Sequence, residues 1–270
     1  MRVKLKEITI TRISYAIINR IKNLTEKFNW KFSANGGQSR AKLLKYKDIH
    51  KGKRCFLIAN GPSLANMNLS CLKNEVTIGM NRIYLIYEKL GFVPTYHFVI
   101  NDLVLEQFAE DLSNVQSIKF YNWSKRNLFS DNDKINFVRL NLGFNDKFST
   151  DPSKGMWSGG TVTYAALQMI YYMGFSEVNI IGLDHNFKEQ GRPNKTEVRT
   201  QEKDESHFHP NYFPKGIKWQ LPDLYRSELA YAMAREAFEK DGRIILDATE
   251  NGKCEVFDKI TFDKLKENLF

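Results

Sequence analysis

Three asparagines stand at the ends of short apolar runs, where their side chains could bind a polar ligand. Asn60 follows CFLIA, Asn81 follows VTIGM, and Asn101 with Asp102 follows YHFVI. A neutral amide both donates and accepts hydrogen bonds. It therefore suits a nucleotide base, a ribose or a phosphate oxygen without the desolvation cost of a charge. The three positions indicate a binding site for a nucleotide-like ligand.

The turn Asn60-Gly61-Pro62-Ser63 separates the first apolar run from apolar residues at helical spacing. Gly61 lets the backbone approach a ligand closely, and the Ser63 hydroxyl can cap a following helix. We expect a strand-to-helix turn at the carboxyl end of a parallel strand, which is the edge where open α/β sheets bind ligands. A turn without a ligand is the alternative.

A second turn, Ser158-Gly159-Gly160, leads into an apolar helix with no bulky side chain at its start. Free N-H groups at such a helix start suit a phosphate or a carboxylate. The glycine and lysine spacing of a Walker A loop and the glycine fingerprint of dinucleotide-binding folds are both missing. Use of ATP or NAD through those motifs is therefore unsupported.

Histidines are the candidates for proton transfer. His185 follows Asp184 at a predicted strand end, and His207 and His209 lie in the segment SHFHPNYF. Such a histidine can take a proton from an acceptor hydroxyl, although a purely structural role is the alternative for each. Zinc binding by these histidines with Asp184 matches no known spacing, so we expect no metal site.

The elements that position these residues follow from the apolar pattern. Five strands are predicted, at residues 55–59, 76–79, 96–100, 118–121 and 178–181, mostly with helical spacing between them. This alternation predicts an α/β fold with a mostly parallel, doubly wound sheet. Helices are predicted over 164–173 and 223–242, with a strand over 243–246. The polar, aromatic-rich segment 186–222 is predicted to be a lid over the site, with a disordered insertion as the alternative.

The positive charge of the 270-residue chain, +9 overall, is concentrated near its start, where residues 1–32 carry eight basic and two acidic residues. Apolar residues recur there at steps of three and four, at Ile10, Ile13, Ile17, Ile21, Leu24 and Phe28. A basic amphipathic helix suits an anionic membrane surface, and packing on the domain or on another subunit of a homo-oligomer is the alternative. We expect residues 1–42 to consist of this helix and a linker (33–42), and residues 43–270 to form one catalytic domain. The rest of the chain has a charge ordinary for an enzyme, so nucleic acid is not an expected partner.

The remaining composition indicates the cytoplasm. The sequence contains no run of about 18 apolar residues, the length that a helix needs to span a bilayer. The first residues lack the apolar region of a signal peptide. The three cysteines are scattered and indicate buried thiols without a disulfide framework.

Taken in order, five sequence pieces resemble one group of enzymes. These pieces are NGPSL, MNRIYL, the strand end IN, SGGTVTYAALQMIYYMGFSEVNIIGLD and SHFHP. They look like the bacterial sialyltransferases of glycosyltransferase family 42, the flagellin-modifying motility-associated factors and the archaeal 6-hydroxymethylpterin pyrophosphokinase-like proteins. The resemblance implies a modified Rossmann-type domain, a nucleotide-activated sugar donor, inversion at the anomeric carbon, no required metal or other cofactor, and a lid histidine as general base.

The resemblance also implies roles for individual residues. Asn60 and Ser63 would contact the donor, Asn81 and Asn101 its nucleotide sugar, and Ser158-Gly159 its carboxylate or phosphate region. Asn186 stands where the sialyltransferases have an aromatic residue two places after Asp184, so Tyr212 or His185 would have to stabilise the leaving phosphate. Of the two lid histidines, His209 is slightly favoured as the base because Pro210 biases its backbone toward an extended conformation.

We therefore expect a sialyltransferase-type glycosyltransferase, held near the inner face of the membrane, that moves a sugar, such as a sialic-acid-like nonulosonate, from a nucleotide donor to a surface glycan or glycolipid. The enzymatic alternative is transfer of diphosphate from ATP to a pterin alcohol. That reaction needs Mg²⁺, for which Asp102 and Asp184 are the candidate ligands. The non-enzymatic alternative is a nucleic-acid- or membrane-binding module that uses the basic helix.

Overall fold

The computed structural model describes residues 21, 23–130, 132–141, 143, 145–187, 191–267 and 269. The strands are β1 (Arg54–Ile58), β2 (Thr77–Met80), β3 (Tyr96–Val99), β4 (Ile118–Asn122), β5 (Ile135–Val138), β6 (Glu177–Ile181), β7 (Thr196–Val198), β8 (Lys218–Gln220), β9 (Ile244–Asp247) and β10 (Asp258–Lys259). The five predicted main strands and the strand before residue 247 are confirmed to within two residues. The short strands β7, β8 and β10 were not predicted.

Helices connect most of these strands. Residues 23–32 are helical (α1). The other α-helices are α2 (Ala34–Leu44), α3 (Tyr87–Leu90), α4 (Asp102–Gln107), α5 (Ala109–Asn114), α6 (Val162–Tyr172), α7 (Leu224–Lys240) and α8 (Phe262–Glu267). Short 3₁₀ helices span Pro62–Asn66, Ser70–Asn74, Ile83–Ile86, Trp123–Leu128 and Pro152–Lys154. Asp223 caps α7 as predicted, because its side chain accepts the Arg226 N-H.

Eight strands form one sheet in the order β10-β9-β6-β1-β2-β3-β4-β5, and every pairing in it is parallel. The order reverses at β1, because β2 lies on one side of it and β6 on the other. This arrangement is the predicted α/β, Rossmann-like, doubly wound sheet. Ligands of such sheets bind outside the carboxyl ends of the strands at the point of reversal, which here lies between β1 and β6.

Both faces of the sheet are buried, which explains why its central strands are apolar without alternation. In β1, Cys55 and Leu57 pack into a core with α2, α6 and α7, while Phe56 and Ile58 pack into a second core with α4 and the segment 208–221. Successive side chains of a strand point to opposite faces, so one short run supplies both cores.

The predicted linker is wrong, because most of residues 33–42 lie in α2. Ser33 caps this helix by accepting the Gly36 N-H on its hydroxyl. A Cβ at Gly36 would lie 2.4 Å from the Trp30 carbonyl oxygen, so the glycine permits a close approach of two chain segments. Trp30 is buried and donates its indole N-H to the Ser153 carbonyl at 2.9 Å. The main fold therefore includes residues before the expected boundary at residue 43.

The segment expected to be a lid folds over the carboxyl edge of the sheet. Its ends pair as the antiparallel ribbon β7-β8, and between them Asp204, Phe208 and Tyr212 are buried. The Phe208 N-H donates to the Asn60 carbonyl at 3.1 Å, which ties the segment to the end of β1. Of the described residues, no stretch of helix has both the length and the apolar character needed to cross a bilayer.

Candidate active site

Two adjoining cavities lie at the carboxyl edge of the sheet. The small compartment, about 140 Å³, lies at the point of reversal and is lined by residues that follow β1, β2 and β6. The large compartment, about 1110 Å³, extends across the ends of β3, β4 and β5. The two share the wall residues Asn81, Gly160, Thr161, Val162, Phe187, His207 and Pro222. Ten of the fourteen predicted site residues line one or both compartments, whereas Ser63, Gly159, His209 and Tyr212 line neither.

A clamp between Ser63 and Asp184 joins the turns after β1 and β6. One carboxylate oxygen of Asp184 accepts the Ser63 N-H at 3.0 Å, and the other accepts the Ser63 hydroxyl at 2.7 Å. Gly61 makes room for this clamp, since a Cβ there would lie 1.8 Å from Asp184 Oδ2. Burial raises the pKa of Asp184, and the hydrogen bonds from Ser63 oppose that shift. Ser63 was expected to cap a helix. Its N-H and hydroxyl instead hold Asp184 at the point where the strand order reverses.

Asn60 and Asn81 carry buried amide oxygens in the wall of the small compartment. Neither Oδ1 has a hydrogen-bond partner within the described part of the chain. Asn81 has a φ of 49°, a left-handed conformation that asparagine tolerates. Nε2 of the buried His97 lies 2.6 Å from the backbone carbonyl oxygen of Asn81. A buried polar atom without a partner costs free energy, and a bound ligand removes that cost. These two oxygens are therefore the best-supported ligand contacts.

His207 lies in the wall shared by the two compartments. Its Nδ1 is 2.9 Å from Asp204 Oδ2, and its ring stacks on Tyr212 with centroids 4.0 Å apart. Burial raises the pKa of Asp204, but contacts with His207, Ser206 and Arg199 outweigh burial and hold that pKa below its ordinary value. An ionised carboxylate only accepts, so Nδ1 donates, and in the neutral imidazole Nε2 keeps a lone pair. This pair can act as a general base.

The other catalytic candidates are placed less favourably. His185 lines the small compartment, but its Nε2 contacts Glu228 Oε1 at 3.1 Å. His209 lines neither compartment, and its Nδ1 accepts the Asn211 N-H at 3.1 Å. Tyr212 is fully buried against His207, and its hydroxyl accepts the backbone N-H of Arg82 at 3.4 Å. Of the two lid histidines, the structure favours His207 over His209.

The turn Ser158-Gly159-Gly160 already holds an anion that belongs to the protein. The Gly159 N-H, expected to be free, donates to Asp146 Oδ1 at 3.2 Å. Arg226 grips the same carboxylate through Nε at 2.7 Å and Nη2 at 3.0 Å, and also donates to the Ser158 hydroxyl at 3.2 Å. Ser158 and Gly160 line the large compartment, whereas Gly159 lines neither. The Gly159 N-H is therefore not free for the expected phosphate contact, because Asp146 already accepts it.

Asn101 and Asp102 line the large compartment, and both have local partners. Asn101 Oδ1 caps α4 by accepting the Leu103 N-H at 2.9 Å. Asp102 Oδ1 accepts from Asn122 and from the Ser124 hydroxyl, each at 2.8 Å. These bonds order the wall of the compartment and leave Asp102 Oδ2 facing Lys125 at 3.7 Å.

Among the described residues, the two predicted Mg²⁺ ligands do not come together in one site. Asp102 and Asp184 line different compartments, and both oxygens of Asp184 are engaged by Ser63. Over the described ranges, no three His, Cys, Asp or Glu side chains group together as metal ligands would.

Comparisons with known proteins identify the family. The family described as 6-hydroxymethylpterin diphosphokinase MptE-like matches residues 30–190, more than half of the chain. The chain belongs to the MptE-like family. This match confirms the resemblance to the pterin pyrophosphokinase-like group, and it begins at the buried Trp30. It covers the MptE-like chain through β6 and the Asp184 turn, and stops before the segment that carries His207.

The comparison with solved structures matched "Structure of MAf glycosyltransferase from Magnetospirillum magneticum AMB-1". It is 13% identical to the MptE-like chain, with a TM-score of 0.49, and the match covers 83% of this chain and 38% of that one. No curated protein matches the chain.

Proposed function

We propose that the protein is a nucleotide-sugar-dependent glycosyltransferase of the sialyltransferase type, with His207 as general base. The observation that carries the proposal is the position of the His207-Asp204 pair between two compartments. A transferase must bring a donor and an acceptor hydroxyl together, and a base in the shared wall can reach both. This proposal replaces His209 by His207 and keeps the donor at Asn60 and Asn81.

The proposed reaction is a single displacement. His207 Nε2 takes the proton of the acceptor hydroxyl while that oxygen forms a bond to the anomeric carbon of the donor sugar. The bond from the anomeric carbon to the phosphate oxygen breaks, and the nucleotide leaves with the electron pair. Attack from the side opposite to the leaving group inverts the anomeric carbon. Asp204 holds the imidazole in the tautomer that accepts the proton and stabilises the imidazolium that forms.

The sizes of the compartments support an extended acceptor. Ligand pockets commonly measure about 300 to 1,000 Å³. At about 1110 Å³ the large compartment suits a glycan or a glycolipid headgroup better than one bicyclic pterin. The small compartment, at about 140 Å³, holds only part of a nucleotide. We therefore propose that the donor also occupies part of the large compartment or displaces the segment 186–222.

The family match favours a second candidate, transfer of diphosphate from ATP to a pterin alcohol. The same base could take the proton of that alcohol. This reaction uses Mg²⁺, which is held in such sites largely by substrate phosphates with one or two carboxylates. Asp184 accepts hydrogen bonds from Ser63, and Asp102 lines the large compartment instead of the small one. These two carboxylates therefore support the diphosphate transfer less well.

Nucleotide binding separates the two candidates. Proteins are stabilised by ligands that bind the folded state alone, so the unfolding midpoint is measured with CMP, CDP, UDP, GDP and ATP, each in EDTA and in Mg²⁺. We expect a cytidine nucleotide to raise the midpoint equally in both buffers. A shift produced by ATP with Mg²⁺ alone would contradict the glycosyltransferase proposal and support the diphosphokinase.

We also propose that the protein is cytoplasmic and contacts the inner face of the membrane through α1. The apolar stripe at Ile21, Leu24, Phe28 and Phe32 is 58%, 65%, 63% and 63% exposed, respectively. Residues 1–20, which carry the earlier part of the predicted stripe, lie outside the described residues. Apolar exposure beside Lys27 and Lys31 suits an anionic lipid surface.

Replacing Leu24 and Phe28 together by serine should lower binding to phosphatidylglycerol vesicles at least about tenfold, because each side chain loses its apolar transfer free energy. Nucleotide binding should not change. The matched control replaces the exposed Tyr225 and Leu229 of α7 by serine, which should leave vesicle binding intact. Equal sedimentation of both double variants with vesicles would refute the membrane proposal.

A further inference from the structure

Arg139 is a buried cation in the wall of the large compartment. It follows β5, is 7% exposed, and lines the cavity. Its guanidinium donates to the Asn141 side chain and to the Lys154 carbonyl, the latter at 3.1 Å. Both partners are neutral oxygen acceptors. Within the described part of the chain, no carboxylate pairs with Arg139, and its buried Nε has no hydrogen-bond partner.

Of the three other lysines and arginines that line this compartment, Lys218 is exposed to solvent, and the other two are paired with carboxylates. Lys125 contacts both Glu106 and Asp102, and Arg226 forms a two-point contact with Asp146. Their charges are balanced before any ligand arrives. Arg139 differs from both because burial has removed water from its guanidinium without supplying an anion. Burial accordingly lowers the pKa of Arg139, although the group stays protonated at neutral pH.

An unbalanced buried charge is costly, and a bound anion offsets that cost. A guanidinium also offers a planar fork of donors that matches a phosphate or carboxylate. From these observations we infer that Arg139 binds a phosphate or carboxylate group of the second substrate in the large compartment. The donor nucleotide would contact Asn60 and Asn81, whose unpaired oxygens lie in the wall of the small compartment.

The apolar stripe of the first helical segment reaches the compartment that holds Arg139, which indicates where the anionic group comes from. Ile21, which is exposed and belongs to the apolar stripe, also lines the large compartment. A substrate seated at Arg139 would therefore lie in a cavity whose wall includes the surface proposed to meet lipid. The anion site itself rests on Arg139 and its surroundings. Only its attribution to the acceptor, as a phosphate- or carboxylate-bearing glycolipid headgroup, rests on the proposed function.

Binding of inorganic phosphate tests the anion site without the whole substrate. Calorimetric titrations at constant ionic strength compare the wild type with Arg139→Gln, Arg139→Lys and Arg54→Gln. Arg54 pairs with Glu75 near the amino end of β1, so its variant removes the same charge at the opposite edge of the sheet. We expect Arg139→Gln to weaken phosphate binding about tenfold or more, Arg139→Lys to weaken it less, and Arg54→Gln to leave it unchanged. Equal phosphate affinity in wild type and Arg139→Gln, or no binding by the wild type, would overturn the assignment.

Stability supplies a second readout. A structural arginine would destabilise the ligand-free protein when replaced, whereas an arginine kept for binding leaves its stability unchanged or higher. We expect the unfolding midpoint of phosphate-free Arg139→Gln to equal or exceed that of the wild type. A much lower midpoint, with no loss of phosphate affinity in Arg139→Lys, would overturn the binding role.

A CMP arm separates the substrates. Saturating CMP should leave phosphate affinity unchanged, because Arg139 follows β5 whereas Asn60 and Asn81 follow β1 and β2. Arg139→Gln should bind CMP normally. Competition between CMP and phosphate would overturn the acceptor assignment and give Arg139 to the donor. Arg139-dependent phosphate binding without any CMP binding would support the anion site while contradicting the proposed function.

Discussion

Replacing His207 by glutamine is expected to lower the kcat of transfer by about two to four orders of magnitude, the usual contribution of a general base. Glutamine keeps a hydrogen-bonding group near Asp204 but cannot accept the proton. Nucleotide affinity should change little, because the proton moves only in the transition state. The measurement is product formation under saturating donor and acceptor, with calorimetric nucleotide binding alongside.

The control is His209→Gln. His209 lies two residues away on the same segment but lines neither compartment, so its variant should transfer at nearly the wild-type rate. The reverse pattern, with His209→Gln inactive and His207→Gln active, would restore the choice favoured from the sequence. Activity in both variants would remove the lid histidines from the mechanism, and Asp102 and Asp184 would be tested next.

Replacing Gly61 by alanine is expected to abolish nucleotide binding and to lower the free energy of unfolding by about 3 kcal/mol, the upper part of the range for overpacking. The added Cβ would lie 1.8 Å from Asp184 Oδ2 and 2.7 Å from the Gly182 carbonyl oxygen. Relief requires the turns after β1 and β6 to separate, which breaks the Ser63-Asp184 clamp. Denaturant unfolding and CMP titration measure the two effects.

Gly37→Ala is the matched control for that substitution. Gly37 lies in α2, and a Cβ at this position would have its nearest neighbour, an atom of the Arg40 side chain, 3.9 Å away. Alanine has the higher helix propensity, so this variant should be stabilised by up to about 1 kcal/mol and should bind nucleotide normally. Wild-type nucleotide affinity in Gly61→Ala would show that the clamp plays no part in the site.

Local patterns were sufficient to predict the central strands of the sheet. Buried parallel strands read as short apolar runs, so β1, β2, β3, β4 and β6 could be placed from the sequence. The polar residues after β1, β2 and β3 were then expected at one edge, and the structure brings Asn60, Asn81 and Asn101 to adjoining walls. The linker failed because the composition of Ser33 to Lys42 resembles a loop, whereas its helix is stabilised by packing around Trp30.

The parts of the site that the sequence did not predict depend on distant partners. Asp146 reaches Arg226 across 80 residues, and Asp184 reaches Ser63 across 121. Neither pairing has a local signal. Asp204 is only three residues from His207, and this spacing could have identified the pair. Arg139 gives no sequence signal beyond an arginine after an apolar run, because its importance lies in the absence of a described carboxylate near it.

The central claim is that the donor nucleotide binds at the end of β1 and β2 through Asn60 and Asn81. Calorimetric titration of CMP in EDTA tests it with Asn60→Ala, Asn81→Gly and the control Asn251→Gly. Glycine is used because Asn81 and Asn251 both have positive φ, at 49° and 55°, where alanine would add strain. We predict one CMP site in the wild type and in Asn251→Gly. In Asn60→Ala and in Asn81→Gly the affinity for CMP should be lower than in the wild type by about tenfold or more, since each variant loses a buried hydrogen bond. Equal CMP affinity in all four proteins, or binding of ATP with Mg²⁺ in place of CMP, would contradict the account.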